Sequence, residues 1–268
     1  MIALLRRTGV ARVPLSLYNL LFFTFLIAPI VVVVAASFTA GNAITVPYHG
    51  VSLRWYRRLI EYRPFIDSLM TSVYLALSSA FVAILLAVPA AIALGRSRSA
   101  AAAALTTFLL APVAIPALVI GFSLLYFLSS LGIGVSFVAL LIAHTVISVP
   151  YVMRTVLAVY RNVGINFEEA AAVLGANRLQ RFYFVTLPLI SPGVFAGALF
   201  AVLISLDNLP VSYFFGTANV TTLPVVMLSY LQNQLDPAIA AISTVQMLIA
   251  IGLLLLVERT YGLRALNA

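Results

Sequence analysis

The chain has 268 residues, of which 63% are hydrophobic and 8% are charged, and its formal net charge at pH 7 is +8. A soluble domain could neither bury nor solvate this composition, so the sequence predicts an integral membrane protein. The absence of lysine excludes a nucleotide-binding P-loop, which needs that side chain on the phosphates, and the absence of cysteine excludes disulfides and thiol chemistry.

Six apolar runs are long enough to cross a bilayer, because a hydrocarbon core of about 30 Å requires about 20 helical residues. They lie near Leu15–Ser37, Phe65–Leu94, Leu105–Leu128, Val135–Val156, Pro188–Leu206 and Ala238–Val257. We therefore predict an all-α membrane protein with a single transmembrane domain over residues 1–268. The first run is too long for the apolar core of a signal peptide, so we interpret it as an uncleaved span.

The distribution of arginines sets the expected orientation. With the N-terminus inside, the inner segments carry eleven arginines and three acids, and the outer segments carry four of each, so the net +8 lies on the inner face. Both termini are then cytoplasmic, and topology alone explains the basic balance, which gives no reason to invoke nucleic acid. The inner arginines are Arg6, Arg7, Arg12, Arg96, Arg98, Arg154, Arg161, Arg178, Arg181, Arg259 and Arg264.

The first outer loop, Ala40 to Pro64, contains an amphipathic segment. Trp55, Leu59 and Tyr62 share one helical face, and arginines cover much of the rest, so we predict a helix that lies at the membrane surface. Such a helix either anchors the chain in the membrane interface or forms a rim on which a substrate-binding protein docks.

Two spans contain residues that interrupt a simple apolar pattern. Pro112 and Pro116 lie one turn apart in the third span and predict a bend, either around a pathway or as an ordinary packing kink. His144 lies within the fourth span, where an ionisable group suggests function. We favour a neutral histidine that is hydrogen-bonded between helices.

A polar segment, residues 161–187, separates the fourth and fifth spans. Asn166 and Glu169 have capping-box spacing, which predicts a helix beginning near Phe167. Gly175 supplies a residue that adopts positive φ, so the helix is expected to end there. The three alanines 170–172 leave the helix surface thin enough for another protein to approach closely. Phe167, Ala171, Leu174 and Arg178 are expected to share one face.

The segment also carries a motif. Glu169-Ala170-Ala171, Gly175, Val185 and Leu187-Pro188 fit the pattern E-A-A-x3-G-x9-I-x-L-P, with valine in place of isoleucine as the only departure. This pattern resembles that of bacterial ABC importer permeases. The resemblance extends over roughly residues 50–260 and is greatest for the C-type subunit of spermidine/putrescine permeases. The positions that carry it outside the motif are 52–56, Pro112, Pro116, His144, Pro150 and 205–208.

The resemblance implies a type I ABC importer permease bundle with a short cytoplasmic coupling helix that fits a cleft of an ATPase subunit. It further implies three kinds of partner: a second permease subunit, two ATPase subunits and a periplasmic substrate-binding protein. ATP and Mg would be bound by the ATPase, and this chain would hold no cofactor and would not be an enzyme. Glu169 has a second interpretation as a helix cap alone. The expected coupling residues are Phe167, Glu168, Glu169, Ala170, Ala171, Leu174, Gly175 and Arg178.

Asp207 is the most informative acid in the sequence. It follows the fifth span at the expected outer end, where the helix dipole disfavours negative charge, so a compensating group is expected. A cationic substrate could compensate it, with Asn208, Tyr213 and Phe214 supplying hydrogen bonds and aromatic faces. A partner arginine or hydration at the rim explains it equally well.

Two further elements are expected between Asp207 and the sixth span. Residues 222–234 are too few to cross the membrane, so they predict an interfacial or re-entrant helix at the outer mouth. Asp236-Pro237 is typical of a helix start, which predicts a structural role for this acid.

The function predicted is that of an ABC importer permease subunit for a small organic solute, with a polyamine as first choice. Opine-like compounds, phosphonates and thiamine are alternative substrates within the same class. An ion-coupled secondary transporter would need several carboxylates within its spans, and here Asp67 lies only at the outer end of one. With two histidines, His49 and His144, no metal-ligand cluster or nucleophile–base pair is evident for a membrane enzyme.

Overall fold

The computed structural model describes residues 12–43, 50–216, 220–234 and 236–261. Arg6, Arg7, His49 and Arg264, which the sequence arguments use, lie outside the described residues. The helices in chain order are α1 (Arg12–Ser37), α2 (Arg54–Glu61), α3 (Arg63–Gly95), α4 (Ala100–Leu110), α5 (Ala117–Ser130), α6 (Phe137–Asn162), α7 (Asn166–Val173), α8 (Arg178–Arg181), α9 (Leu187–Leu206), α10 (Leu209–Phe215), α11 (Leu223–Asn233) and α12 (Ala238–Tyr261).

Five helical stretches in the described parts of the chain are long and apolar enough to cross a membrane, and a bent pair of helices gives a sixth if it forms one span. This confirms the all-α membrane fold. The five are Ser16–Ser37, Arg63–Gly95, Phe137–Asn162, Arg178–Leu206 and Ala238–Leu256.

The third apolar run forms the bent pair. The helix α4 passes into a short 3₁₀ turn, Ala111–Ala114, and α5 begins after Pro116, with a bend of 108° between the two parts. Proline lacks an amide N–H and disfavours helix at the residue before it, so two prolines one turn apart break the hydrogen-bond ladder completely. The expected bend is confirmed, and it divides the apolar run Leu105–Leu128 into two helices. Its place along a pathway stays a prediction.

The chain divides into two compact units, and the first comprises Met1–Arg63 with Leu231–Leu248. It contains α2, whose Trp55 side chain is buried and donates from Nε1 to the backbone oxygen of Thr39 at 2.9 Å. Leu59 is also buried, which confirms the apolar face, but Tyr62 is half-exposed because it lies beyond the end of the helix. The cation of Arg54 stacks over the Trp55 ring at 4.4 Å.

The start of α12 lies in the same unit. The Asp236 Oδ1 atom accepts a hydrogen bond from the backbone N–H of Ala238, the first residue of α12, at 3.0 Å. Its Oδ2 atom forms an ion pair with Arg58 of α2 at 3.1 Å. These two contacts give Asp236 the structural role that the sequence predicts.

The second unit, Pro64–Tyr230 with Ile249–Ala268, contains the closest helix packing in the described chain. Gly193 and Gly197 of α9 face α6 at four-residue spacing, and a Cβ atom on Gly197 would lie 2.8 Å from the Cα of Val152. Small residues at this spacing let two membrane helices approach backbone to backbone, where dispersion contacts replace the hydrophobic driving force that lipid lacks. The sequence shows this pair, but our prediction did not use it.

Candidate functional site

The start of α7 differs from the expected capping box. Asn166 is already the first helical residue, and the cap position is Ile165, whose side chain makes no capping hydrogen bond. The amides of Glu168 and Glu169 bond to the backbone oxygen of Ile165 instead. The capping box of Asn166 and Glu169 is therefore wrong, because the helix begins one residue before the position that would make Asn166 its cap. Glu169 is exposed, which leaves its carboxylate available to a partner.

The end of α7 confirms the role predicted for Gly175. Its φ is +87°, and its amide bonds to the Ala172 oxygen while the next amide, of Ala176, bonds to the Ala171 oxygen, both at 3.0 Å. These two bonds form a Schellman motif, in which a left-handed glycine satisfies the last helical carbonyls. The helix ends at this motif, and Arg178 consequently belongs to the next helix, α8. The expectation that Arg178 shares a face with Phe167 is wrong.

A true capping box occurs at α8. Asn177 Oδ1 accepts from the Gln180 amide at 2.9 Å, and Gln180 Oε1 accepts from the Asn177 amide at 2.8 Å. The signal Asn-x-x-Gln is present in the sequence. We did not recognise it, because we had assigned Arg178 to the same helix as Phe167. A five-residue π-helix, Phe182–Thr186, then leads into α9, whose first turn contains Pro188 as expected.

The helix α7 presents most of its surface outward. None of its residues is buried; Val173 and the adjoining Leu174 are each 88% exposed, and Phe167 is 58% exposed. Glu169 and Ala170 are exposed as well, while Ala171 is partly buried. An exposed apolar surface on a short helix is typical of a site where a partner protein binds.

Glu168 differs from the other residues expected to couple to the ATPase, because its carboxylate points into the protein. Its Oε2 atom lies 2.8 Å from Nη1 of Arg96, and its Oε1 atom accepts from Oγ1 of Thr186 at 2.9 Å. The side chains of Arg96 and Glu168 are 25% and 20% exposed. We did not predict this pair, and no sequence signal links two residues that are 72 positions apart.

Asp207 occupies the C-cap position of α9, at the end of that helix away from Thr186 and Leu187. Its side chain is exposed, and its carboxylate has neither an ion pair nor a hydrogen bond with the residues that the structure describes. Desolvation by the surrounding protein nevertheless raises the pKa of this carboxyl above its ordinary value. None of the described residues therefore supplies the group that was expected to compensate this charge.

The three residues grouped with Asp207 have different surroundings. Asn208 caps α10, since its Oδ1 accepts from the Val211 amide at 3.0 Å. Phe214 packs edge-on against Phe122 with ring centroids 6.0 Å apart. Tyr213 is 58% exposed. Of the four residues expected along the pathway, Asp207 and Tyr213 are accessible. Asn208 and Phe214 make contacts within the protein that give each of them a structural role.

His144 links the helices that carry these residues. Its side chain is fully buried, with Nδ1 2.7 Å from Ser205 Oγ of α9 and Nε2 3.0 Å from Ser212 Oγ of α10. The hydrogen-bonded histidine between helices is confirmed. In the described part of the chain, no group of histidine, aspartate or glutamate side chains is arranged to bind a metal ion.

The helix α11 lies where the sequence predicts a short element after Asp207. It spans Leu223–Asn233, and the Leu223 amide donates to Ser72 Oγ of α3 at 2.8 Å. Its 11 residues are too few to cross a bilayer, so the expected short helix is confirmed and its role as an outer gate stays a prediction.

Comparison with known proteins identifies the family. Residues 83–262, more than half of the chain, match the family described as "Binding-protein-dependent transport system inner membrane component". The chain belongs to this family. It is therefore a multi-pass inner-membrane permease subunit of an ABC importer, a transport component rather than an enzyme, and the interpretation as an ion-coupled secondary transporter is set aside.

Two curated relatives of this permease subunit are named for the transport of different solutes. The putrescine transport system permease protein PotI of Escherichia coli (strain K12) is 32% identical over 232 residues, which cover 84% of this chain and 82% of that protein. The molybdenum transport system permease protein ModB of Mycobacterium bovis is 33% identical over 197 residues, which cover 68% and 75%.

A solved structure agrees with the fold of the permease subunit. A chain of a bacterial ABC transporter involved in the import of the acidic polysaccharide alginate superimposes with a TM-score of 0.72. The match covers 94% of this chain and 98% of that one at 17% identity, so the likeness shows the fold alone.

Proposed function

We propose that this permease subunit forms half of a translocation pathway for a polyamine of the putrescine or spermidine type. The observation that carries the proposal is the exposed Asp207 carboxylate, which has no counter-charge among the described residues and lies six residues before the exposed Tyr213 ring. A carboxylate and an aromatic face are the groups that bind a protonated amine. The similarity to a putrescine permease supports the same choice.

The partners proposed are a second permease subunit, two ATPase subunits that bind ATP and Mg, and a periplasmic binding protein. In this arrangement the exposed surface of α7 enters a cleft of the ATPase. The contact would be made by Phe167, Glu169, Ala170 and Leu174, with Gly175 ending the helix and Arg178 beginning α8 next to it. Dependence on a binding protein follows from the family.

The first experiment measures ATP hydrolysis and amine uptake by the complete complex reconstituted in liposomes. Binding protein loaded with putrescine or spermidine is compared with empty binding protein, for the wild type and for Asp207→Asn. We expect stimulation in the wild type and a fall of roughly ten-fold or more in transport by the variant, because one charge-assisted hydrogen bond to an amine is worth about 1.5–3 kcal/mol.

Asp67→Asn is the matched control, since Asp67 is also exposed and lies in the first turn and a half of α3. It should leave transport unchanged. Stimulation only by a solute without a positive charge would contradict the polyamine assignment and retain the importer. Absence of stimulation by any loaded binding protein would contradict the importer mechanism itself.

The raised pKa of Asp207 adds a pH dependence. A carboxyl with a raised pKa takes up its proton at a higher pH than an ordinary aspartate, so acidification should weaken amine binding earlier than it would at an unperturbed carboxylate. The apparent KM for the amine should therefore rise as the external pH falls, and this rise should be absent in Asp207→Asn. An equal rise in the variant would assign the effect to another group.

A further inference from the structure

Three groups meet where α3, α7 and the π-helix come together, and we call them the latch: Arg96, Glu168 and Thr186. Both carboxylate oxygens of Glu168 are used, one by the Arg96 guanidinium at 2.8 Å and the other by the Thr186 hydroxyl at 2.9 Å. One side chain of α7 is thereby joined to the end of α3 and to the residue that precedes α9. Charge-assisted hydrogen bonds of this kind are short and directional.

The position of Arg96 is itself fixed by further contacts. Its Nη2 atom donates to the backbone oxygen of Val163 at 3.2 Å, just beyond α6, and its guanidinium stacks over the Tyr160 ring at 4.3 Å. Gly95 makes room for that ring, since a Cβ there would lie 2.8 Å from Tyr160 Cδ1. Arg161, in the last turn of α6, donates from Nε to the backbone oxygen of Gly95 at 3.2 Å and so also joins the ends of α6 and α3.

The two charges also suit the helix ends on which they lie. Arg96 follows the last residue of α3, where the helix dipole is negative, and Glu168 lies in the first turn of α7, where it is positive. With side-chain exposures of 25% and 20%, the pair is screened less than a fully exposed surface ion pair.

The helix α7 has few other means of attachment. It contains no buried residue, its first turn has no side-chain cap, and its large apolar side chains, Phe167 and Val173, are exposed. A helix held in this way could move independently of the spans if the latch were absent. With the latch closed, a force on α7 is passed to α3 and to the start of α9.

We propose that the latch is the mechanical connection between the partner-binding helix α7 and the membrane spans, and that Glu168 and Arg96 act as positioning residues for transport. This rests on the proposed function, in which an ATPase binds α7. Breaking the latch should leave the ATPase bound and active while reducing the solute transported for each ATP hydrolysed.

The test uses the complete complex in liposomes, with ATP hydrolysis and solute uptake measured on the same preparations. Arg96→Gln and Glu168→Gln are compared singly and together, and Arg98→Gln is the matched control because Arg98 is exposed and lies outside the latch. We expect each single variant to lower the ratio of uptake to hydrolysis roughly five-fold or more, the lower range of coupling between sites. The double variant should lose no more than either single one, since all three break the same contact.

The proposal would be overturned if the single variants kept the wild-type ratio of uptake to hydrolysis. It would also be overturned if the fold-loss of this ratio in the double variant equalled the product of the two single losses. Failure of Glu168→Gln to co-purify with the ATPase subunit would also overturn it, because the latch would then serve assembly rather than coupling.

A second measurement does not depend on transport. Amide hydrogen exchange of residues 166–173 in the purified chain should become faster in Arg96→Gln and Glu168→Gln, and should be unchanged in Arg98→Gln. Unchanged exchange in all three variants would show that the latch does not hold α7. If the wild-type complex shows no stimulated hydrolysis, the proposed function fails while this exchange result still decides the role of the latch.

Discussion

At the scale of single residues, Gly197 has the tightest surroundings of the described glycines. A Cβ there would lie 2.5 Å from Thr155 Oγ1 and 2.8 Å from Val152 Cα, and the second of these atoms belongs to the backbone of α6 and cannot move aside alone. We expect Gly197→Ala to destabilise the protein by about 1–3 kcal/mol through overpacking. The loss should appear as a lower midpoint when detergent-solubilised protein is heated and the remaining monodisperse fraction is measured.

Gly252→Ala is the control, because no atom lies within 4 Å of the Cβ position at Gly252 in α12. Alanine is favoured over glycine in a helix interior, so this variant should be as stable as the wild type or more stable. Equal effects at the two positions would mean that helix propensity, and not the approach of α9 to α6, decides the outcome.

The buried serines around His144 allow a matched comparison. Ser212 Oγ bonds to His144, whereas Ser148 Oγ is buried with no hydrogen-bond partner in the described parts of the chain. Ser212→Ala should cost about 0.5–2 kcal/mol, because it leaves the buried Nε2 atom unpaired. Ser148→Ala should be neutral or slightly stabilising, since it removes an unpaired hydroxyl. The same thermal assay checks both, and a larger loss for Ser148→Ala would contradict the hydrogen bonds described.

At the scale of elements, the end of α7 depends on one backbone conformation. The φ of +87° at Gly175 is costly for any residue with a Cβ, although no atom lies within 4 Å to clash with one. Gly175→Ala should therefore cost about 1–2 kcal/mol through conformational strain and loosen the α7–α8 turn. We expect weaker retention of the ATPase subunit on a column that carries the permease.

Gly164→Ala supplies the comparison, since Gly164 also borders α7 but has no positive φ, and a Cβ there would make ordinary contact with Phe167 at 3.9 Å. Retention of the ATPase should be unaffected by this change. Equal losses in the two variants would show that the Schellman motif is not what shapes the binding surface.

At the scale of the whole molecule, the absence of cysteine makes topology directly measurable with single cysteine variants and a membrane-impermeant maleimide. The distribution of arginines places Ile60 and Leu131 outside and Arg98 inside. Cysteines at positions 60 and 131 should react in spheroplasts, and a cysteine at 98 should react only in inside-out vesicles. Labelling of positions 98 and 131 from the same side would mean that the bent pair α4–α5 is re-entrant and that five helices cross.

The features predicted correctly depend on residues that are near one another in the chain. Apolar runs mark spans because the bilayer fixes their length, and Gly175 marks a helix end because few other residues adopt positive φ. The bend at Pro112 and Pro116 follows from missing amide hydrogens, but its angle of 108° depends on the packing of both halves. The capping box was misplaced because Asn166-x-x-Glu169 and Asn177-x-x-Gln180 carry a similar local signal, and only Asn177 lies at the cap position of its helix.

The sequence by itself determined that this chain crosses a membrane and that its family motif begins on a short helix between two spans, and it favoured a His144 that is hydrogen-bonded between helices. Only the tertiary structure decided that Glu168 faces Arg96 and Thr186 while Glu169 faces outward. Adjacent residues on a helix differ by about 100° in direction, and which of them meets the protein depends on neighbours supplied by distant parts of the chain. The same holds for Gly197, whose close approach to Thr155 exists only once α6 and α9 pack together.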